Sequence, residues 1–90
     1  MGRQQGPEAM EAARHFGQNL AERRRQVGLS QDATAERAGL HRTEVALIET
    51  GRRLPRLDTL VKLAGALEVE PCALLTGMVW KLDLPKEGSK

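Results

Sequence analysis

Aromatic side chains are nearly missing from this 90-residue chain, which has one Phe, one Trp and no Tyr. Proteins that grip unpaired bases stack them on aromatic faces, so single-stranded nucleic acid is a poor candidate ligand. Cysteine is equally scarce. Cys72 stands alone and cannot form an internal disulfide. The opening "MGRQQGPEAM" has no apolar stretch of the secretory kind, and no apolar run approaches a membrane span, so a cytoplasmic, membrane-free protein is expected. His15, His41 and Cys72 lack metal-ligand spacing, which leaves Cys72 as a half-buried helix residue. A Gly-rich phosphate loop, a nucleophile elbow and a clustered carboxylate pair are all lacking. Neither catalysis nor a cofactor is therefore expected.

What the chain does have is unevenly placed charge. The net value is only +2, yet residues 20–56 hold eight arginines against five acids, and residues 57–90 hold four lysines against five acids. A central arginine excess favours a local anion site over a generally adhesive surface. Arg23, Arg24 and Arg25 are about 100° apart on a helix, so they cannot form one basic face, and two of the three are expected in solvent.

A chain of this length makes one domain, able to bury only about 60% of its unfolded surface. Residues 1–14 are polar and Ala-rich and read as a flexible segment or as a helical extension starting near Pro7. Residues 15–77 form the domain proper. The apolar face of Phe16, Leu20 and Val27 predicts a first helix ended by Gly28. Ser30 fits the N-cap of a second, ended at Ala38 by Gly39. A third covers His41 to Thr50. A fourth covers Leu57 to Glu68, with Leu57, Leu60, Val61, Ala64 and Leu67 at helical spacing. Pro71 suits the start of a fifth, ending near Gly77. In residues 78–90, "MVWKLDL" changes period: Trp80, Leu82 and Leu84 alternate with Lys81 and Asp83, which predicts a strand over 78–84.

The third helix carries the functional argument. On a helix wheel Val45, Ile48 and Glu49 fall on one side, and Thr43, Leu47 and Thr50 on the other. Val45 and Ile48 mark the inward face, so Glu49 points inward too. A buried carboxylate needs a cation, and the Arg23–Arg25 triplet of the first helix can supply one; the competing reading leaves Glu49 solvated at the rim of the core. Arg52 and Arg53, beyond the helix end, stay free for another anion.

Two short helices joined across Gly39, the second with an outward polar face, describe a helix-turn-helix. The stretches "FGQNLAERRRQVGLSQ", "AERAGL" and "VALIETGRRLPRLDTLVKLAGALEVEP", followed by Leu74 and Leu75, make the chain similar to the lambda-repressor-like (Xre-type) regulators over most of residues 16–77. The resemblance implies an all-α, five-helix domain whose third helix enters the major groove, usually within a dimer. It implies an Arg24–Glu49 pair between the first and third helices, and Gln31 on a phosphate while bracing the third helix. It places Arg42, Thr43 and Leu47 against bases, and Thr50, Arg52, Arg53 and Arg56 along phosphates.

Three positions depart from the family pattern. Thr34 replaces the usual Leu of the second helix. His41 and Arg56 stand where Ser or Thr caps are common, and a lost cap costs about 1 kcal/mol. Both are read either as exchanging a cap for DNA contact or simply as poor caps. Leu47 replaces a polar side chain and is read either as a contact to a thymine methyl or as an inert surface residue.

The expected protein is a sequence-specific regulator of double-stranded DNA that binds an inverted repeat as a homodimer. A phage-type repressor, a restriction–modification controller and a self-regulating plasmid factor are all roles of this kind. With the domain filling most of the chain, no effector-binding module is expected. Trp80, Leu82 and Leu84 are the expected dimerisation residues, paired with a second copy; a tail folded back on its own domain, with dimerisation through the last two helices, is the competing arrangement. The alternative function is an antitoxin or adaptor whose main partner is a small protein such as a toxin.

Overall fold

The computed structural model describes residues 7–80. Four α-helices, α1 (Pro7–Gln26), α2 (Gln31–Ala38), α3 (Arg42–Glu49) and α4 (Leu57–Ala66), are followed by a single 3-10 helix over Pro71–Leu75. Proline opens both the first and the last of these, as suits a residue without an amide hydrogen at a helix start. Ser30 caps α2 by accepting from the Ala33 N–H at 3.0 Å. Gly39 then takes a left-handed φ of +72°, and the chain reverses with the Leu40 N–H on the Ala35 carbonyl at 2.9 Å. That tight turn sets α3 directly after α2, the arrangement a helix-turn-helix requires.

The core is one cluster drawn from every helix. Phe16, Leu20, Val45, Ile48, Leu63 and Leu67 are its large members, all sealed from solvent. Leu74 closes it from the 3-10 helix. Asn19 of α1 donates from Nδ2 to the carbonyls of Leu74 and Thr76, each at 3.0 Å, and so holds that helix on the domain. Against α3, α1 approaches closely at Gly17, where a Cβ would overlap the carbonyl oxygens of Ile48 and Glu49. Helix α3 is thus seated on α1 by backbone contact as well as by side chains.

Several expectations need correction. The fifth helix is not an α-helix but the five-residue 3-10 helix. At three residues per turn it turns only Leu74 fully inward, and Cys72 is exposed rather than half-buried. Residues 78–80 form no strand, and residues 81–84 of the expected strand lie outside the described residues, as do Leu82 and Leu84. Of the two readings of the N-terminal segment, the helical extension is the one found from Pro7 onward: α1 runs unbroken from there, and Ala13, one turn before Phe16, is buried. Val27 falls past the helix end and is exposed.

On α4 the expected stripe is rotated. Leu57 and Val61 face solvent, while Thr59, Leu63 and Ala66 are buried beside Ala64 and Leu67. Apolar residues stand on several faces of this helix, so spacing alone could not select the buried one. The choice falls to its two neighbours, α2 and the 3-10 helix, between which α4 is wedged. Thr34 is fully buried, and its hydroxyl donates to the Ser30 carbonyl at 2.9 Å. The departure from Leu is accommodated because the short polar side chain is satisfied inside its own helix.

Candidate DNA-binding interface

The inward turn of Glu49 is realised. Arg24 donates from Nε to Glu49 Oε2 at 2.6 Å and from Nη2 to Oε1 at 3.1 Å. Its third nitrogen, Nη1, donates to the Leu29 carbonyl at 2.9 Å. The two side chains are 14% and 5% exposed, so the carboxylate is spent on the fold and withdrawn from any surface ligand. The hydrogen bonds that it donates to Glu49 hold the Arg24 guanidinium above the usual arginine range despite its burial. Of the three candidate arginines, the structure selects Arg24.

Gln31 joins the same network. As the first residue of α2 it donates from Nε2 to Glu49 Oε1 at 2.9 Å. One carboxylate therefore ties together α1, α2 and α3, and fixes the angle at which α3 is presented.

At the other end of α3 the surface is open. Arg42, its first residue, and Thr43 are both exposed. Arg42 Nε lies 3.4 Å from Asp32 Oδ1 of α2. Both side chains are more than half exposed, so this pair orients Arg42 more than it stabilises the domain. His41 is the N-cap residue and makes no side-chain cap. Leu47 is half-buried rather than fully outward. The Thr50 hydroxyl donates back to the Ala46 and Leu47 carbonyls at 2.9 and 3.2 Å, so it closes its own helix end.

Arg52 and Arg53 follow in the exposed turn, and no carboxylate among the described residues pairs with them. Arg56 opens α4 without a side-chain cap. Instead it grips Asp58 through Nε at 3.2 Å and Nη2 at 2.7 Å. Those bonds hold the Asp58 carboxyl below, and the Arg56 guanidinium above, their ordinary ranges. The expected site residues thus divide by place. Arg42, Thr43, Arg52 and Arg53 share an open surface along and beyond α3, Gln31 and Glu49 lie beneath it, and Arg56 is engaged by an acid.

Sequence reasoning missed both Asp32 and Asp58 as partners. Asp58 had a local signal, an acid two residues after an arginine within one helical turn. Asp32 had none, because it meets Arg42 only once the turn at Gly39 has folded.

These features define a helix-turn-helix DNA-binding protein: a short helix braced on two others, its outer face polar and its far end basic. The chain belongs to the helix-turn-helix family, whose pattern matches residues 20–74, and it is a transcriptional regulator of the lambda-repressor type. It is 37% identical over 67 residues to an uncharacterized HTH-type transcriptional regulator, y4dJ, of Sinorhizobium fredii, a match covering 74% of this chain and 87% of that one. Among solved structures it is similar to the restriction–modification controller protein C.AhdI of Aeromonas hydrophila, with 44% identity, 69% of this chain and 94% of that chain covered, and a TM-score of 0.68. It is also similar to the P22 c2 repressor in complex with a synthetic operator, at 26% identity, 69% and 94% coverage, and a TM-score of 0.64. No described helix is long and apolar enough to cross a membrane.

Proposed function

We propose that this protein controls transcription by binding a short inverted repeat in duplex DNA as a homodimer. The observation that carries the reading is the division of charge around α3. Glu49, the acid nearest the helix end, is turned into the fold, while Arg42, Thr43, Arg52 and Arg53 stay on the outer surface. A polyanion meets cations there and no exposed carboxylate from the end of α3. Arg42 and Thr43 sit where they read base edges; Leu47 supplies an apolar contact beside them. Gln31, Thr50, Arg52, Arg53 and Arg56 follow the phosphates. Arg56 reaches a phosphate by exchanging Asp58 for it. His41, uncapped and exposed, lies at the same edge.

Two copies are needed because one short helix reads only a few base pairs. A two-fold pair would prefer half-site centres about 34–36 Å apart or a multiple of that. Trp80 is the described member of the proposed dimer element, with Leu82 and Leu84 after it. Val79 and Trp80 are exposed, at 83% and 55%, and so have apolar surface to give to a partner. A duplex-DNA ligand places the protein in the cytoplasm, with no catalytic step and no cofactor in the reading.

The test is selection of bound sites from random duplex DNA, which should enrich one inverted repeat. Recovery of no repeat at any spacing would overturn the reading.

A further inference from the structure

The arginines of this chain sort into those with a partner and those without. Arg24, Arg37, Arg42 and Arg56 each have a carboxylate within ion-pair range, and Arg23 bonds Gln26. Among the described residues Arg14, Arg25, Arg52 and Arg53 have neither an ion pair nor a side-chain hydrogen bond. Three of those four are carried by adjoining backbone, at Arg14 of α1 and in the turn after α3. Gly51, the residue just past α3, has a left-handed φ of +78°, and a Cβ on it would lie 2.9 Å from Arg14 Cγ and 3.0 Å from Arg14 Cα. The absence of a side chain at Gly51 therefore lets the stem of Arg14 lie directly on the turn that carries Arg52 and Arg53. A groove of about 590 Å³ opens beside it, floored by Met10, Ala13 and Leu54 and edged by Gly51, Arg52 and Arg53.

We propose that Arg14 of α1 joins Arg52 and Arg53 in a three-arginine clamp on one stretch of the DNA sugar–phosphate backbone. The proposal rests on the DNA-binding reading and adds to it a residue outside the region 20–74 that matches the family. Three like charges gathered with no acid among them repel one another, so the arrangement is favourable only when an anion of matching charge spacing is present. Glu11, one turn before Arg14, is exposed and makes no ion pair with it. A flexible arginine lying on a rigid helix adds sequence-independent attraction, because phosphates position a protein and carry no base information. Its second consequence is geometric. Contact through α1 as well as through the turn after α3 ties two elements of the domain to the same stretch of backbone, which restricts tilting of α3 within the groove.

The experiment measures affinity as a function of salt for the selected duplex and for a scrambled one. Arg14→Gln keeps the stem that lies on Gly51 and removes the charge. It should lower the slope of log affinity against log salt by about one and weaken both duplexes by the same factor. Arg14→Lys should retain the slope. Arg25→Ala, which removes an equally exposed and unpaired arginine from the other end of α1, should leave slope and affinity unchanged. The melting temperature should be the same in all three. If Arg14→Gln binds with the wild-type slope while Arg53→Ala loses slope, the clamp is overturned and the DNA-binding reading stands. If the unsubstituted protein selects no duplex at all, both fall together.

Discussion

Arg24 and Glu49 form a two-pronged pair across 25 residues of sequence, with 2.6 and 3.1 Å bonds joining α1 to the end of α3. Removing one partner of a buried pair costs about 3–5 kcal/mol, less where water reaches it, and Arg24 retains some exposure. Arg24→Ala and Glu49→Ala should each lower the melting temperature. The double variant should lose less than the two separate losses added together, because the second change removes a charge already orphaned. Glu49→Ala should also weaken DNA binding, since it frees Gln31 from its anchor. Strictly additive losses in thermal melts would show that the two side chains do not depend on each other.

Arg42 and Arg53 should behave as different kinds of contact. Arg42→Ala should cost about 1–3 kcal/mol on the selected site and relax preference at one position in each half-site. Arg53→Ala should weaken every duplex alike and flatten the salt dependence. Site selection repeated with both variants decides the matter. Matching base preferences in the two would mean that the outer surface of α3 is not the reading surface.

Most of this frame was legible because its signals are local. Ser30, Gly39 and Pro71 act on the backbone next to them, so the starts and stops they predict are found within a residue. Glu49 was legible because helical geometry fixes its direction relative to Val45 and Ile48. The buried face of α4 was not. With Leu57, Leu60, Val61, Leu63 and Leu67 all apolar, several faces are equally eligible, and packing against α2 and the 3-10 helix decides. The Arg42–Asp32 contact and the seat of Arg14 on Gly51 were illegible for a related reason: each joins two separate elements, and nothing in either segment specifies the other.

The two exposed acids should act as restraints on DNA binding. Asp58→Asn releases Arg56 and removes a negative charge, so affinity for all duplexes should rise at low salt. Asp32→Asn leaves Arg42 unguided, so scrambled DNA should gain more than the selected site and the specificity ratio should fall. The sign of the pH effect follows from the lowered Asp58 carboxyl. Its contribution to folding is present above the ordinary carboxylate range and is lost as pH falls through the lowered value. Melting curves recorded from neutral to acid pH should therefore fall less steeply for Asp58→Asn. An Asp58→Asn protein with unchanged affinity would mean that Arg56 does not take part in binding.

Thr34 offers a packing test. Its hydroxyl shares the Ser30 carbonyl with its own N–H, which bonds there at 3.0 Å. Thr34→Val removes the hydroxyl without orphaning that acceptor, and the loss should be no more than about 1 kcal/mol. Thr34→Leu restores the usual residue of the family, but at a position with no exposure. The added volume should destabilise by about 1–3 kcal/mol. A Leu variant melting above the parent would mean that the core around α2 holds unfilled space.

The last prediction concerns how two copies meet. Met78 is partly buried against the core and its N–H bonds the Leu75 carbonyl at 3.0 Å, whereas Val79 and Trp80 point away. A chain ending at Met78 should therefore keep the domain intact while losing Trp80, Leu82 and Leu84. If those residues hold the dimer, sedimentation should show a monomer with undiminished helical signal. DNA affinity should then fall far more than any one contact explains, since each half-site is bound alone. Among the described residues α4 also carries apolar surface, where Leu57 and Val61 sit one turn apart at 76% and 50% exposure. Leu57→Glu with Val61→Glu tests it without touching the core, because both side chains face solvent in the protomer. A shortened chain that stays dimeric, beside a monomeric α4 variant, would transfer the interface from the C-terminal segment to α4. The opposite pair of results would fix it on Trp80 and the residues that follow.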